Sequence, residues 1–388
     1  PAIAAADAVP GNGTLELSAG DSVRTSYGLG YFEHSAEVTF TGLTEAAAAI
    51  PTAEGAKPHK ERYTSASTDN PLLRKMGLPN RDGGFERDGF HLWDPSIIKV
   101  GDTYHMFTSC WPDNDFSKWK QSYIVRAESK HLLGPYTYVE DVIRPQSGKF
   151  DGRGCHNPKI TRHAGKFYLY YLGIPAWRGG VAVADTVEGP WKRPEKASIP
   201  LNNPAVWIHE DGSVYGVGKV KVQNPKYPGS YKFNELFHYL QAVRADSIFG
   251  PYTKLHKSGE NALPKDFENE DPCIWYDGSR YHVIITDLHG FATGQQKAFT
   301  YYTSEDGQRY ELVSSDPLMS AEAPIRFSDG TETKFQRVER PNIVLNDAGE
   351  VVAVLAACLP PQTGSEKKGS RILVFPVDPY AGKDRVTD

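Results

Sequence analysis

Residues 93–109 read WDPSIIKVGDTYHMFTS, and this stretch decides the fold because four later segments repeat its pattern. Each copy begins with a polar or charged residue before proline, runs on as a short apolar strand, turns near a glycine and returns as a second strand. Short glycine turns of this kind join the two strands of a β-hairpin. The later copies begin HNPKITR at residue 156, NNPAVWI at 202, EDPCIWY at 270 and ERPNIVL at 339.

A weaker repeat follows each hairpin and supplies two more strands joined by a Gly-Pro or Asp-Gly turn. Its copies read YIVRAESKHLLGPYTYV, GVAVADTVEGPWKRP, QAVRADSIFGPYTKL and FTYYTSEDGQRYELV, and the degenerate fifth ends with RILVFPVD from residue 371. Four strands in each of five units predict an all-β fold, a five-bladed β-propeller over residues 86–380. Residues 1–85 form an N-terminal extension in this interpretation.

Composition excludes several classes of protein. The 388 residues include 43 Lys and Arg against 48 Asp and Glu, a net charge of −5, so we expect no nucleic-acid partner. No apolar run approaches the ~20 residues of a spanning helix, so we expect no membrane partner. The alanine-rich start favours a periplasmic or secreted protein whose signal peptide has been removed. Four separated cysteines argue against a zinc site and leave open either buried thiols or one disulfide.

The first strand of each blade lies nearest the propeller axis, so the repeat starts converge at one end of the channel. Blades one, four and five, neighbours in the closed ring, bring Asp94, Asp271 and Glu339. Glu270 precedes Asp271, and strand alternation predicts that only one of the two faces the pocket; the repeat alignment selects Asp271. Blades two and three bring neutral hydrogen-bonding groups, namely His156, Asn157 and Asn203.

Two carboxyl groups flanking a glycosidic bond are the apparatus of glycoside hydrolysis. One protonates the leaving oxygen and the other activates water, while a third carboxylate raises the pKa of the acid by like-charge repulsion. The alternative is that Asp-Pro merely starts a strand. Side chains from different blades face each other across the channel, which favours the wide carboxyl separation of an inverting enzyme.

Several motifs resemble the five-bladed propeller glycosidases, broadly glycoside hydrolase family 43 and especially its family 117 relatives. The first-blade segment GFHLWDPSIIKVGDTYHMFTS and the GPY or GPW turns at Gly134, Gly189 and Gly250 are similar to family 43. FDGRGCHNPKI, NEDPCIWYDGSRYH and RVERPNI resemble family 117, which cleaves neoagaro-oligosaccharides. The resemblance implies a general base at Asp94 and a site completed by Asp271 and Glu339.

The sequence departs from family 43 at two positions. That family carries its second carboxylate in blade two and its acidic Glu in blade three, where this chain has Asn157 and Asn203. Glu339 is therefore the leading candidate for the acid, with Asp271 as the orienting or pKa-tuning carboxylate. Since family 117 members can use a histidine as the acid, His289 stays a third candidate.

Further residues are candidates for substrate binding, and each has a structural alternative. The histidines can bind hydroxyl groups or be satisfied polar groups, Asp287 can touch substrate or brace a turn, and tryptophans can stack on sugars or fill the core. The arginines can bind an anionic group or pair with carboxylates. The candidates are His91, Asp287, His289, Trp111, Trp177, Arg153 and Arg340.

Together these observations predict an exo-acting, inverting glycoside hydrolase that removes a terminal sugar from oligosaccharides of a plant or algal polysaccharide. The alternatives are a propeller phosphorylase, with a phosphate cradle of Arg153, Arg178 and His156, and a non-catalytic carbohydrate-binding propeller. No cofactor or metal is required for the reaction, although a structural Ca²⁺ or other ion in the channel stays open. A homodimer through the N-terminal extension is also left open.

Overall fold

The chain divides into two compact units, Pro1–Ala56 and Lys57–Asp388. The computed structural model describes residues 22–29, 32–39, 69–264, 267–362 and 369–378. Within the first unit, strands β1 (Ser22–Leu29) and β2 (Phe32–Thr39) pair as an antiparallel hairpin.

The second unit is a five-bladed β-propeller, which confirms the fold predicted from the repeats. Each blade is an antiparallel sheet whose strands follow chain order from the channel outward. Blade one holds β3 (Phe90–Val100), β4 (Thr103–Pro112), β5 (Tyr123–Ser129) and β6 (Thr137–Ile143). Blade two holds β7 (Gly154–His163), β8 (Lys166–Ile174) and β9 (Arg178–Ala184).

The remaining blades follow the same plan. Blade three holds β10 (Asn202–Ile208), β11 (Val214–Gln223), β12 (Leu236–Ala245) and β13 (Thr253–Lys254). Blade four holds β14 (Asn269–Tyr276), β15 (Tyr281–Asp287), β16 (Ala298–Ser304) and β17 (Glu311–Leu312). Blade five holds β20 (Arg337–Leu345), β21 (Val351–Leu359) and β22 (Arg371–Pro376), and a short hairpin of β18 (Ile325–Arg326) and β19 (Glu332–Thr333) precedes it.

Helices are short. The described ranges contain one α-helix, α1 (Pro71–Lys75), and two 3-10 helices, η1 (Phe116–Gln121) and η2 (Phe233–Glu235). Asn70 caps α1 by accepting hydrogen bonds from the backbone of Leu72 and Leu73. None of these helices is long and apolar enough to cross a membrane.

Hydrophobic packing between blades holds the ring together. The buried apolar side chains form five clusters, and each cluster lies between two neighbouring blades. Most blade strands are therefore covered on both faces, which accounts for their long buried runs and the high aromatic content. All four cysteines are free thiols within this packing, namely Cys110, Cys155, Cys273 and Cys358.

The segment before blade one closes the ring against blade five. Phe85 and Ile372 exchange backbone hydrogen bonds of 3.1 and 2.9 Å, and the Gly77 N–H donates to the carbonyl of Pro376. Gly84 has a φ of 69°, and a Cβ atom there would lie 2.0 Å from the Ile372 carbonyl oxygen, so only glycine fits. These residues belong to the compact propeller unit, whereas the sequence interpretation assigned them to the extension.

Candidate active site

An unusual backbone conformation marks the start of every innermost strand. The residue before the shared proline has a positive φ in all five blades: Asp94 (56°), Asn157 (53°), Asn203 (48°), Asp271 (61°) and Arg340 (65°). Strand pairing slips by one residue at each of these positions, as in a β-bulge. Asp and Asn tolerate this conformation better than most residues, whereas for Arg340 it is costly.

Asp94 is fully buried and held in an ionised state. Its Oδ2 atom accepts hydrogen bonds from Ser109 Oγ (2.6 Å) and the backbone N–H of Asn157 (3.2 Å), and its Oδ1 atom lies 3.2 Å from Arg340. Burial alone raises a carboxyl pKa, but Arg340, His156 and the Ser109 hydrogen bond outweigh it and lower the pKa of Asp94. A buried, ionised carboxylate of this kind can act as a general base.

Asp271 favours the protonated state, unlike Asp94, although both carboxyl groups contact Arg340. Its Oδ1 atom accepts hydrogen bonds from Arg340 (2.6 Å) and from the side-chain amide of Asn203 (2.5 Å). Its Oδ2 atom is buried without a hydrogen-bond partner in the described structure. Burial, together with the negative charges of Glu270 and Asp94, raises the pKa of Asp271 to about 7 in spite of Arg340. A carboxyl that keeps its proton near neutral pH can act as a general acid.

Glu270 and Glu339 complete a trio with Asp271, and all three offer carboxylate oxygens within 4.8 Å of one another. The expectation that alternation would turn Glu270 away is wrong, because the bulge and the positive φ of Asp271 interrupt strand alternation. Lys219 Nζ lies 2.7 Å from Glu270, and its charge overcomes the effect of burial and lowers the pKa of Glu270 to about 2.

Glu339 has two cationic partners. Lys297 Nζ and an Arg337 nitrogen donate to its Oε1 atom at 3.2 and 3.1 Å. Although burial opposes ionisation, these charges lower the pKa of Glu339, which makes it a poorer proton donor than the sequence interpretation assumed. The trio has the spacing of a cation-binding set, but lysine and arginine side chains already supply the compensating charge.

The neutral residues of blades two and three line the same pocket. His156 Nε2 lies 3.0 Å from Asp94 Oδ2, and its Nδ1 atom lies 2.8 Å from Ser122 Oγ. Burial lowers the pKa of His156 to about 4, so the ring is neutral at pH 7. The backbone N–H of Asn157 bonds to Asp94 and the amide of Asn203 bonds to Asp271, so both asparagines orient the carboxylates.

An aromatic wall covers one side of Asp94 and His156. Trp119, from η1, packs on His156 at 5.1 Å and meets Trp177 edge-on at 5.8 Å. Trp177 is 38% exposed and offers a surface to a sugar. Trp111 is 0% exposed and packs against His91, so the expectation that it stacks on substrate is wrong. His91 is itself buried, and its Nδ1 atom accepts from the Ser370 backbone.

The other candidates are placed more peripherally. Asp287 accepts hydrogen bonds from four backbone N–H groups of residues 290–293 and therefore braces a turn instead of contacting substrate. His289 is partly exposed, 3.7 Å from Glu268. Arg153 is exposed and forms no ion pair with a described residue. Arg340 is committed to Asp94 and Asp271.

The sequence interpretation missed the residues that balance the charge, chiefly Lys219, Lys297 and Arg337. Lys219 pairs with Asn202 in the ladder, as Ser109 pairs with Trp93 in blade one. The lysine that ends VYGVGK, in the second strand of the third repeat, was a signal that pointed to it, although Lys221 in the same strand gives the same signal. Lys297 and Arg337 lie outside the repeat, and no pattern in the sequence marks them.

Parts of the sequence are similar to known proteins. The sequence model of Glycosyl hydrolases family 43 matches residues 91–236. A xylan 1,3-beta-xylosidase of Vibrio sp is 28% identical over 138 residues, which are 31% of this chain and 24% of that protein. An extracellular endo-alpha-(1->5)-L-arabinanase 2 of Bacillus subtilis (strain 168) is 31% identical over 134 residues, which are 32% of this chain and 27% of that protein. The chain thus matches less than a third of either relative.

Solved structures share the fold at low sequence identity. Zg3597, a family 117 glycoside hydrolase from Zobellia galactanivorans, superposes with a TM-score of 0.55 at 18% identity, over 79% of this chain and 90% of that one. The alpha-L-arabinofuranosidase PaAbf62A from Podospora anserina gives a TM-score of 0.55 at 13% identity, over 78% and 96%. The resemblance to the five-bladed propeller glycoside hydrolases of families 43 and 117, predicted from the repeats, is therefore confirmed.

Proposed function

We propose that the protein is a glycoside hydrolase acting on oligosaccharides of a plant or algal polysaccharide, with Asp94 as general base and Asp271 as general acid. The observation that carries the proposal is that one arginine, Arg340, is shared between two carboxyl groups whose pKa values are driven apart. Asp94 is ionised and Asp271 holds its proton to about pH 7. Oppositely tuned carboxyls are the pair that acid–base cleavage of a glycosidic bond needs.

The flanking carboxylates support this assignment. Glu270 and Glu339 stay ionised beside Asp271, and negative charge nearby favours the protonated form of Asp271. The sequence interpretation gave the acid role first to Glu339. The two cationic partners of Glu339 keep it ionised. Its negative charge is therefore better suited to favouring the protonated form of Asp271 than to donating a proton itself.

Burial supports exo action, because the reacting carboxyls are at most 5% exposed and a chain end fits such a site better than a polymer lying across a groove. Asp94 and Asp271 come from blades one and four, and one Arg340 nitrogen lies 3.2 Å from Asp94 Oδ1 and 2.6 Å from Asp271 Oδ1. Inverting enzymes hold their two carboxyls ~6.5–9.5 Å apart around a water molecule. Inversion by this pair therefore requires the Arg340 guanidinium to make room for water when substrate binds.

The test is sugar release from arabinan, xylan, agar, carrageenan and ulvan oligosaccharides, with the products followed over time. We expect one terminal sugar to accumulate and proton NMR of the first product to show the anomer opposite to that of the substrate. Internal cleavage would contradict exo action, and the same anomer would contradict inversion. Absence of cleavage across the set, with binding retained, would favour a non-catalytic carbohydrate-binding propeller.

The phosphorylase alternative has less support. Its cradle needs Arg153, Arg178 and His156 together, but the two arginine side chains are exposed and His156 is buried against Asp94. Omitting inorganic phosphate from the assay distinguishes the two reactions, since a hydrolase needs none.

Location and assembly stay proposals as well. We infer a secreted or periplasmic protein, supported by the word extracellular in the names of two arabinanase relatives. Cell fractionation tests the location. Light scattering of the full chain and of a form lacking residues 1–56 tests the homodimer through the N-terminal extension.

A further inference from the structure

A group of lysines lies beside the candidate site, and two of them, Lys221 and Lys120, have no role in the proposed hydrolysis. Lys219 and Lys221 alternate along β11 and so share a face of the sheet. Their ammonium groups lie 5.3 and 5.5 Å from the ring centre of the same phenylalanine, Phe233. Lys219 is neutralised by Glu270, but Lys221 forms no ion pair with any described residue. Glu270 also acts on Lys221, but its close partner is Lys219, so Lys221 adds a positive charge to this surface.

A second unpaired lysine approaches from blade one. Lys120 lies in η1, exposed, with its ammonium 5.7 Å from the ring of Trp119. Burial, followed by the like charge of Lys219, lowers the pKa of Lys221, while the carboxylate of Glu270 opposes this shift and the charge of Lys120 adds a smaller effect. In the described part of the chain Lys120 has no ion pair either. Glu270 pairs with Lys219, and the charges of Lys221 and Lys120 are additional to that pair, so this surface can attract an anion even on a chain of net charge −5.

Aromatic rings that can stack on a sugar lie beside the lysines. Phe233 is 44% exposed and is backed by His238, with ring centres 4.1 Å apart and nearly parallel. Trp177, on the blade-two side, is contacted edge-on by Trp119, with ring centres 5.8 Å apart. Rigid, half-exposed rings present apolar faces to pyranose or furanose rings, while neighbouring ammonium groups recognise acidic substituents.

We propose that Lys221 and Lys120, with Phe233 as the stacking platform, form a subsite for a sugar residue bearing a carboxylate or sulfate group. This inference rests on the proposed glycoside hydrolase function, because the subsite adjoins Glu270 through Lys219. It narrows the substrate from oligosaccharides in general to anionic ones. Uronate and sulfate share the recognised chemistry, and the test separates them.

The binding experiment uses isothermal titration calorimetry on the full chain carrying Asp94→Asn, so that no probe is consumed. The probes are a glucuronic-acid-substituted xylo-oligosaccharide and its unsubstituted counterpart, and a sulfated carrageenan oligosaccharide and its desulfated counterpart. We expect the anionic member of at least one pair to bind about fivefold more tightly, the size expected of one or two partly exposed ion pairs. The pair showing the preference identifies the group, uronate or sulfate.

Variants locate the effect. Lys221→Gln should remove most of the preference for the anionic probe, Lys221→Arg should retain it, and Phe233→Ala should weaken both members of a pair. Lys226→Gln is the matched control, because Lys226 is an exposed lysine in the connection that follows β11, close in sequence to Lys221. Equal affinity for both members of both pairs, or equal loss in Lys226→Gln and Lys221→Gln, would overturn the subsite.

Turnover by the unmodified chain separates this inference from the function beneath it. Higher kcat/KM for an anionic oligosaccharide, reduced by 0.5 M NaCl, supports both. Equal cleavage of neutral and anionic members leaves the hydrolase standing and removes the subsite. Cleavage of neither, with the anionic preference intact in binding, removes the hydrolase and keeps the subsite.

Discussion

The two ends of the innermost strands solve the same backbone problem with different residues. At the hairpin ends, the positive φ angles of the turns include those of five glycines, Gly101, Gly165, Gly212, Gly278 and Gly349. At the strand starts the positive φ belongs to Asp94, Asn157, Asn203, Asp271 and Arg340. Glycine adopts this conformation without steric cost, whereas arginine does not. The sterically unfavourable backbone conformation therefore occurs at the strand starts, where the buried charges converge.

The large cavity of the propeller unit described below lies at the hairpin end of the strands and not at the end where the buried charges converge. A cavity of about 1,140 Å³ opens at the hairpin end, lined by turns of blades three to five and by Trp207 and Tyr276. Its carboxylates are satisfied locally: Asp211 and Asp277 accept hydrogen bonds from the backbone of Ser213 and Ser279. At the strand starts, Asp271 has a buried oxygen without a partner. We therefore propose the strand starts, with their unsatisfied buried groups, as the reactive end in place of the end with the larger open volume.

The largest difference between the ends should be in catalysis. Asp94→Asn removes the base and should lower kcat/KM by at least about 10³-fold, within the range for general acid–base groups. The matched control is Asp277→Asn at the hairpin end, which should leave kcat/KM within experimental error. Initial rates on the best substrate of the oligosaccharide set provide the measurement. Similar losses in both variants would mean that the strand starts are not the catalytic end.

The second largest difference between the two ends should be in the free energy of unfolding. Arg340→Met keeps the strained φ but leaves Asp94 and Asp271 without their shared cation, and removing one partner of a buried ion pair costs about 3–5 kcal/mol. Arg280→Met breaks an exposed pair with Glu305 at the other end and should cost under about 1 kcal/mol. Urea unfolding of both variants compares the two values. A cost for Arg340→Met as small as that for Arg280→Met would show that Arg340 is not essential to the charge arrangement.

Much of this comparison could be predicted from sequence. The five X-Pro starts are visible because the repeat keeps them in register, so the blades, the convergent end and Asp94, Asp271 and Glu339 follow from pattern alone. The segment that closes the ring was not predictable in that way. Phe85 pairs with Ile372, which is far from it in the sequence, and no repeated motif marks either residue as a partner.

Side-chain direction and charge balance also escaped prediction. Glu270 reaches the site only because a bulge interrupts alternation, and bulges leave no reliable mark in a single sequence. Trp111 lies beside a proline that suggested a loop, yet it is the ninth residue of a ten-residue buried strand. Which carboxyl keeps a proton depends on Lys219, Lys297 and Arg337, whose positions are set by tertiary contacts.

A smaller effect concerns pH. The unfolded-state pKa of Asp271 is about 3.9, and its folded value is about 7. Between these values the unfolded chain has released a proton that the folded protein keeps, so the contribution of Asp271 to the free energy of unfolding should decline as pH rises from about 4 to about 7. His156, whose pKa is lowered to about 4, contributes in the opposite sense over this range. Asp94, with a lowered pKa, acts in the opposite sense and loses its contribution below about pH 4.

Asp271→Asn should remove this declining contribution, so the difference in stability between the unmodified chain and the variant should itself change between pH 4 and 7. Its stability against urea, measured at intervals of half a pH unit beside the unmodified chain, tests this. Asp211→Asn is the control at the hairpin end and should leave the decline in place. A parallel pH dependence for Asp271→Asn and the unmodified chain would show that Asp271 is already ionised in the folded protein, and the acid role would then pass to another member of the trio.

The smallest expected effect is that of removing metal ions. Glu270, Asp271 and Glu339 are close enough to bind a cation, but Lys219, Lys297, Arg337 and Arg340 already contact them, and an added ion would meet four positive charges. We therefore expect EDTA, followed by dialysis, to leave kcat/KM and the thermal midpoint unchanged. The structural Ca²⁺ left open for the central channel makes a different prediction: EDTA would lower the midpoint and added Ca²⁺ would restore it. If activity also returned only with Ca²⁺, then positive charge from the side chains would be insufficient at the strand-start end, and a metal ion would have to be part of the charge balance there.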